Sequence, residues 1–298
     1  LVEFVAPRFE LEMVVAPEAV KHRLRQDVTL FKQGQLGALP MGYLLCGVIG
    51  TGKTFTATCF AGSLGIPAIV FKNLRSKWVG SSEGNLQKVL SVIKALGPVA
   101  VVVDEADAAL GTRSSGGDSG TSSRMFAMIS SLMSDTSYRG RILWMLLTCR
   151  PDLLPVDLKR QGRCEVHIPL FPPETQEARK EMFLAVARKS GVTIDEADVP
   201  PLPEGLTGAD IEGLFVQSLR SAALESDQTP GAEHIRRALV HFRTPEYGLE
   251  KELQLLVAIR ESTDAEFVPE PLRERYATPE KAVTLEHRIQ EISALLRQ

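Results

Sequence analysis

From Leu30 to Leu170, short runs of consecutive apolar residues alternate with stretches in which apolar positions recur every three or four residues. The runs Tyr43–Cys46, Ala68–Phe71, Val99–Asp104, Ile142–Thr148 and Glu165–Leu170 predict strands. Continuous apolarity, rather than strict alternation, marks strands buried on both faces, as in a parallel sheet. The intervening stretches, Asn85–Ala95 and Ser123–Met133 among them, predict helices. This rhythm predicts an α/β fold, a three-layer αβα arrangement around a parallel sheet, over residues 1–171.

Phe171-Pro172-Pro173 breaks the rhythm. Glu174–Ser190, Gly208–Leu224 and Pro230–Phe242 then read as helices, with Pro-rich punctuation at Val199–Pro203, so a small all-helical domain is expected over 172–245. A helical extension with two further helices is expected over 246–298. In its last helix Leu285, Ile289, Ile292 and Leu296 recur at helical spacing. That stripe predicts a packing surface, on the chain's own core or on a neighbour. Gly111–Ser123 reads as a flexible loop by composition, either a connector or a segment facing substrate.

Two motifs carry chemistry. Gly47-Val48-Ile49-Gly50-Thr51-Gly52-Lys53-Thr54 fits the phosphate-cradling pattern G-x-x-x-x-G-K-[ST]. Its glycines let backbone N–H groups approach phosphates closely, and the helix that follows favours anions at its N-terminus. Lys53 is expected on the β- and γ-phosphates of a nucleotide, and the Thr54 hydroxyl on Mg2+. The apolar run Val99–Val103 ends in Asp104 and Glu105. Two carboxylates at the end of a buried strand need a reason, since unpaired buried charge is costly. Asp104 holding the metal, directly or through its water, and Glu105 polarising the attacking water supply one. The other reading is an acid pair capping the helix that starts near Ala106.

Composition narrows the class without changing it. The 298 residues suffice for one large or two modest domains, and 44% hydrophobic with 24% charged residues is ordinary for a globular chain. The net charge of −3 gives no basic field to attract nucleic acid. No apolar run is long enough to cross a bilayer, and no signal-peptide layout opens the chain. Leu1 in place of Met leads us to expect a longer parent protein. Cys46, Cys59, Cys149 and Cys164 are scattered through apparent core elements, which predicts buried thiols in a reducing, cytoplasmic setting. Cys164 and His167 are spaced like half a zinc site, but no second half follows.

The motif series over roughly Glu18–Phe242 resembles the AAA ATPases in the narrow sense, the group of proteasomal ATPases, membrane-anchored AAA proteases, microtubule-severing enzymes and tandem-ring segregases. Beyond the two motifs above, Thr148-Cys149-Arg150-Pro151-Asp152-Leu153-Leu154 resembles T-N-R-P-D-x-L, Leu158–Arg163 resembles L-x-R-x-G-R, and Gly205–Ile211 resembles the lid motif G-[FY]-[ST]-G-A-D-[IL]. The resemblance implies an ATP- and Mg2+-dependent ATPase assembled as a homo-oligomeric ring, with six subunits as the expected number, acting on a polypeptide substrate or protein partner. It places Gly47, Gly50, Thr51, Gly52, Lys53, Thr54 and Phe55 around ATP or ADP, with Gly208 and Ala209 of the lid. It implies that Arg160 and Arg163 are arginine fingers reaching the neighbour's γ-phosphate. Lys77-Trp78-Val79-Gly80 resembles the family's aromatic–hydrophobic–glycine pore loop.

Three positions depart from the family pattern. Cys149 stands where the polar sensor Asn is usual, and a thiol is a weak donor. Val186 falls where many relatives carry a lid His. Val48-Ile49 replaces Pro-Pro in the phosphate loop. Slow hydrolysis is therefore expected as an alternative, giving a nucleotide-gated assembly scaffold. A DNA-handling motor is the third reading, disfavoured by the near-neutral charge.

Overall fold

The computed structural model describes residues 2–71, 82–111, 119–225, 229–244, 247–277 and 281–297. The pore-loop residues Lys77, Trp78, Val79 and Gly80 lie outside them.

Among the described residues six strands form one sheet: β1 (Val2–Val5), β2 (Gly42–Gly47), β3 (Ala68–Phe71), β4 (Val99–Val103), β5 (Ile142–Thr148) and β6 (Val166–Leu170), in the order β1-β3-β4-β5-β2-β6. Every neighbouring pair is parallel except the edge pair β1 and β3. The expected strands are all present within a residue or two, and the fold is the expected α/β class. β1 was not anticipated: four residues with a half-exposed pattern carry little periodic signal.

Alternation along each strand divides the core. Tyr43, Leu45, Val70, Val102 and Met145 pack beneath α1 (Glu18–Lys32) and α2 (Lys53–Leu64). Leu44, Cys46, Ile69, Val101, Trp144 and Leu146 face the opposite layer, with α3 (Ser82–Ala95) and α5 (Ser119–Met133). α5 begins at Ser119, so the last residues of the expected loop Gly111–Ser123 are helical; Ser and Thr at a helix start are compatible with both states. Between β4 and that segment lies the short α4 (Ala106–Leu110).

The helices α6 (Gln176–Lys189), α7 (Gly208–Leu224) and α8 (Ala232–His241) bury a core of their own around Phe183 and Phe215, whose rings meet edge-on at 5.8 Å. Thr207 caps α7 in a reciprocal box with Asp210, which sets where that helix starts.

Among the described residues the extension forms three α-helices, one more than expected: α9 (Gly248–Glu261), α10 (Glu270–Tyr276) and α11 (Ala282–Leu295). α9 returns from the helical domain to the sheet, and Leu253, Leu256, Val257 and Ile259 join the same core as Trp144 and Leu146. Leu285, Ile289 and Ile292 pack there too, so the stripe serves the chain's own core, whereas Leu296 remains 40% exposed.

Candidate functional site

The carboxyl ends of β2, β4 and β5 open onto a cleft of about 380 Å³ closed from the other side by α6 and α7. Ligand sites in open parallel sheets sit at this end of the strands. Gly50, Thr51, Gly52, Lys53, Thr54 and Phe55 line it, as do Asp104, Glu105, Cys149, Val186, Gly208 and Ala209.

The loop between β2 and α2 is held from within and from without. Gly50 and Gly52 both have φ near +81°, a backbone that favours glycine. The Thr51 hydroxyl donates to Val48 O at 2.8 Å, and Lys53 Nζ donates to Gly47 O and Val48 O at 3.0 Å each. Ala209 N–H, at the start of α7, donates to Gly50 O at 2.9 Å. A Cβ on Gly50 would stand 2.8 Å from Thr207 Oγ1, so the lid helix rests directly on the loop. Gly47 does not line the cleft. A Cβ there would fall 2.0 Å from Leu170 O, so this glycine serves the contact with β6.

Asp104 follows β4 directly. Its Oδ2 accepts from the Thr54 hydroxyl at 3.0 Å and its Oδ1 from Glu105 N–H at 2.9 Å. Glu105 is exposed, and its φ of 49° is the one positive value among described non-glycine residues. Such a backbone costs of order 1–3 kcal/mol and collects at functional positions. Glu105 makes no side-chain cap to α4, so the capping alternative has no support from its geometry. These residues fit Mg2+: a hydroxyl and a carboxylate oxygen converge beside a phosphate loop, and oxygen donors are what the ion prefers. Among the described residues, no group of three or more His, Cys, Asp or Glu could hold a metal unaided.

Thr148 ends β5 and is buried; its hydroxyl donates to Asp107 at 2.5 Å and accepts from Arg150 N–H at 2.8 Å. Cys149 lies between these anchored neighbours and faces the cleft. Arg150 forms a two-pronged pair with Asp152, at 2.9 and 2.7 Å, which raises its pKa further. The other cysteines are structural: burial raises Cys59 to about 12 and pushes Cys46 and Cys164 well up. His167 Nε2 meets the Cys164 carbonyl at 2.9 Å, so these two residues join through backbone.

Arg160 and Arg163 stand away from the cleft, on the segment between β5 and β6. Both guanidinium groups converge on Asp157. Arg160 Nε donates to Oδ1 at 2.8 Å and is half exposed; Arg163 Nη1 bonds Oδ2 and the Asp157 carbonyl. Hydrogen bonds from Arg160, then from Arg163, hold the Asp157 carboxyl below its ordinary pKa. Arg163 is buried, and its Nε has no hydrogen-bond partner.

Several lining residues escaped the sequence reading. Met13, Val14 and Val15 come from the N-terminal segment, and Met182, Ala185, Lys189 and Glu212 from the lid. Lys189 pairs with Glu212 at 2.9 Å and lies 5.3 Å from the Phe55 ring centre. No motif marks them, because only the packing of lid on sheet brings them together.

The αβα sheet, phosphate loop and acid-tipped strand define a nucleotide-loop protein. Residues 43–171 match the model of the ATPase family associated with various cellular activities (AAA). The chain thus carries a domain of the AAA ATPase family. It is 32% identical over 180 residues to the cell division cycle protein 48 homolog of Archaeoglobus fulgidus, covering 59% of this chain and 24% of that protein. It is 32% identical over 190 residues to an uncharacterized AAA domain-containing protein, ycf46, of Trieres chinensis, covering 61% and 37%. It is 29% identical over 237 residues to an ATP-dependent zinc metalloprotease FtsH of Caldicellulosiruptor bescii, covering 76% and 38%. The chain therefore spans well under half the length of these relatives. Among the described residues no helix is long and apolar enough to cross a membrane.

Proposed function

We propose that this chain binds and hydrolyses ATP at a site shared between subunits, and that a ring of copies, six by resemblance, uses the cycle to remodel a protein substrate. The observation that carries the ATPase reading is the convergence of Lys53, Thr54, Asp104 and Glu105 at one end of the cleft. Lys53 neutralises the β- and γ-phosphates, Thr54 and Asp104 hold Mg2+, and Glu105 takes the proton from the attacking water. Magnesium held by Thr54 and Asp104 would supply charge screening at the phosphates. The apolar end formed by Val14, Val15, Met182 and Val186 suits a base.

Neither Arg160 nor Arg163 lines its own subunit's cleft, and Arg160 is half exposed, which supports its service to a neighbour; Arg163 is buried against Asp157. A guanidinium supplied in trans is worth about 10³–10⁵ in rate in GTPase examples. The likeness to an ATP-dependent zinc metalloprotease FtsH supports a protein substrate. The working division is a nucleotide domain (1–171), a lid (172–245) and an extension (246–298).

The test is ATPase rate per subunit against protein concentration, for the native chain and for Arg160→Ala. A shared site requires a rate that rises with concentration and a loss of at least 100-fold in the variant. A rate independent of dilution, unaffected by the variant, would sink the shared-site reading. A second reading, a nucleotide-gated scaffold with slow hydrolysis, is favoured by Cys149 at the sensor position and by the engagement of both arginines with Asp157. ATP-dependent assembly without turnover would select it.

A further inference from the structure

α9 touches two functional loops with one face. Near its middle, Gln254 Oε1 accepts from the Ile49 N–H of the phosphate loop at 2.9 Å. At its end, Glu261 Oε2 accepts from Lys159 Nζ at 2.9 Å, and Lys159 immediately precedes Arg160. Residues 254 and 261 are seven apart, so they share a helix face about 10 Å apart along the axis. Leu256, Val257 and Ile259 between them, and Leu253 just before, are buried in the sheet core, which fixes the helix as a rigid piece.

The second contact is shielded. The side chains of Lys159, Glu261 and His167 are 13%, 11% and 8% exposed. Lys159 also donates to Pro151 O at 3.0 Å, and His167 Nδ1 faces Glu261 Oε1 at 3.1 Å. Thr263, just past α9, accepts from His167 N–H at 2.9 Å. These bonds stitch the end of α9 to β6 and to the segment bearing the arginines. An exposed pair would adjust freely; a shielded one sets a position.

We propose that α9 is a strut of the ATPase site: Gln254 is a positioning residue for the phosphate loop of its own subunit, and Glu261, through Lys159, is a positioning residue for the arginines offered to the next. The proposal rests on the shared-site reading above. Misplacement of a reacting group by about 1 Å can cost 10²-fold in rate, so small shifts at either end are consequential.

The test mixes two variants of the whole chain that are each inactive alone. The acceptor carries Arg160→Ala and keeps its own cleft; the donor carries Lys53→Ala and keeps its arginines. Activity appears only where a donor serves an acceptor. Glu261→Gln placed in the donor should lower the kcat of the mixture at least tenfold and leave KM for ATP within twofold. The same change in the acceptor should cost less than twofold. Gln254→Ala should show the reverse pattern, raising KM or lowering kcat only in the acceptor. A merely structural role would lower activity alike in both orders. Because Glu261→Gln leaves Lys159 unpaired, Lys159→Gln/Glu261→Gln is run beside it and removes both charges. Equal losses in the two orders, or full activity with the altered donor, overturns the strut. Silence of the mixture with unaltered α9 overturns the shared site, and the strut with it.

Discussion

The Thr54 hydroxyl donates to Asp104 Oδ2 over 3.0 Å, although 50 residues separate them along the chain. One oxygen belongs to the first turn of α2 and the other to the end of β4, two strands away across β5. The sheet order therefore creates the oxygen pair, and Glu105 adjoins it with a left-handed backbone and an exposed side chain.

Glu105→Gln should keep nucleotide affinity and reduce turnover by about 10²–10⁴, the usual contribution of a positioned base. Phosphate release measured beside nucleotide binding checks this. Unchanged turnover would remove Glu105 from the reaction.

Cys149→Asn should raise kcat by about twofold to tenfold, the worth of one neutral hydrogen bond of about 0.5–1.5 kcal/mol. Single-turnover rates at saturating ATP read the effect. A variant slower than the native chain would mean that the thiol suits this cleft better than an amide does.

Asp157 holds both arginines within the subunit. Asp157→Asn should therefore lower the protein concentration at half-maximal ATPase by up to about fivefold, since the exposed Arg160–Asp157 pair is worth about 0.2–1 kcal/mol. A higher midpoint in a dilution series would show that Asp157 instead presents the arginines.

Gly47 and Gly52 separate folding from binding. Gly47→Ala drives a Cβ against the Leu170 carbonyl and should prevent a native melting transition. Gly52→Ala meets nothing within 4 Å and should cost about 1 kcal/mol through its positive φ. Its Cβ adds bulk to the cleft lining, so nucleotide binding should fall while the fold persists. Thermal melts and nucleotide titration of both variants check the contrast.

Burial acts to raise the Glu261 pKa, but hydrogen bonds from His167 and Lys159 outweigh it and hold the pKa below its ordinary 4.5. A depressed acid stabilises the fold above its unfolded value, and that stabilisation is lost as pH falls through the folded value. Glu261→Gln should cost about 2–3 kcal/mol at neutral pH, somewhat less than a fully buried pair. The gap to the native chain should narrow as pH drops below 4.5. Denaturant melts across that range would refute the charge as its basis if the gap stayed constant.

Much of the fold was legible because its signals are local. Val99–Val103 is apolar without interruption, and such a run has few ways to be buried other than as a central strand. That the glycine-rich loop, Asp104 and Glu105 would meet at one cleft was readable from residue types at fixed spacing. β1 and the early start of α5 were missed where short polar or half-exposed segments carry weak periodicity.

The sequence by itself determined the strand and helix rhythm, the glycines that the loop backbone requires and the acids at the tip of β4. Only the tertiary structure decided that the last helices complete the sheet's core, that Asp157 gathers two arginines, and that Gln254 and Glu261 reach loops about two hundred and one hundred residues earlier. Local residue preferences act over a few positions, whereas these contacts arise from where the chain returns after the lid, which no short stretch of sequence encodes.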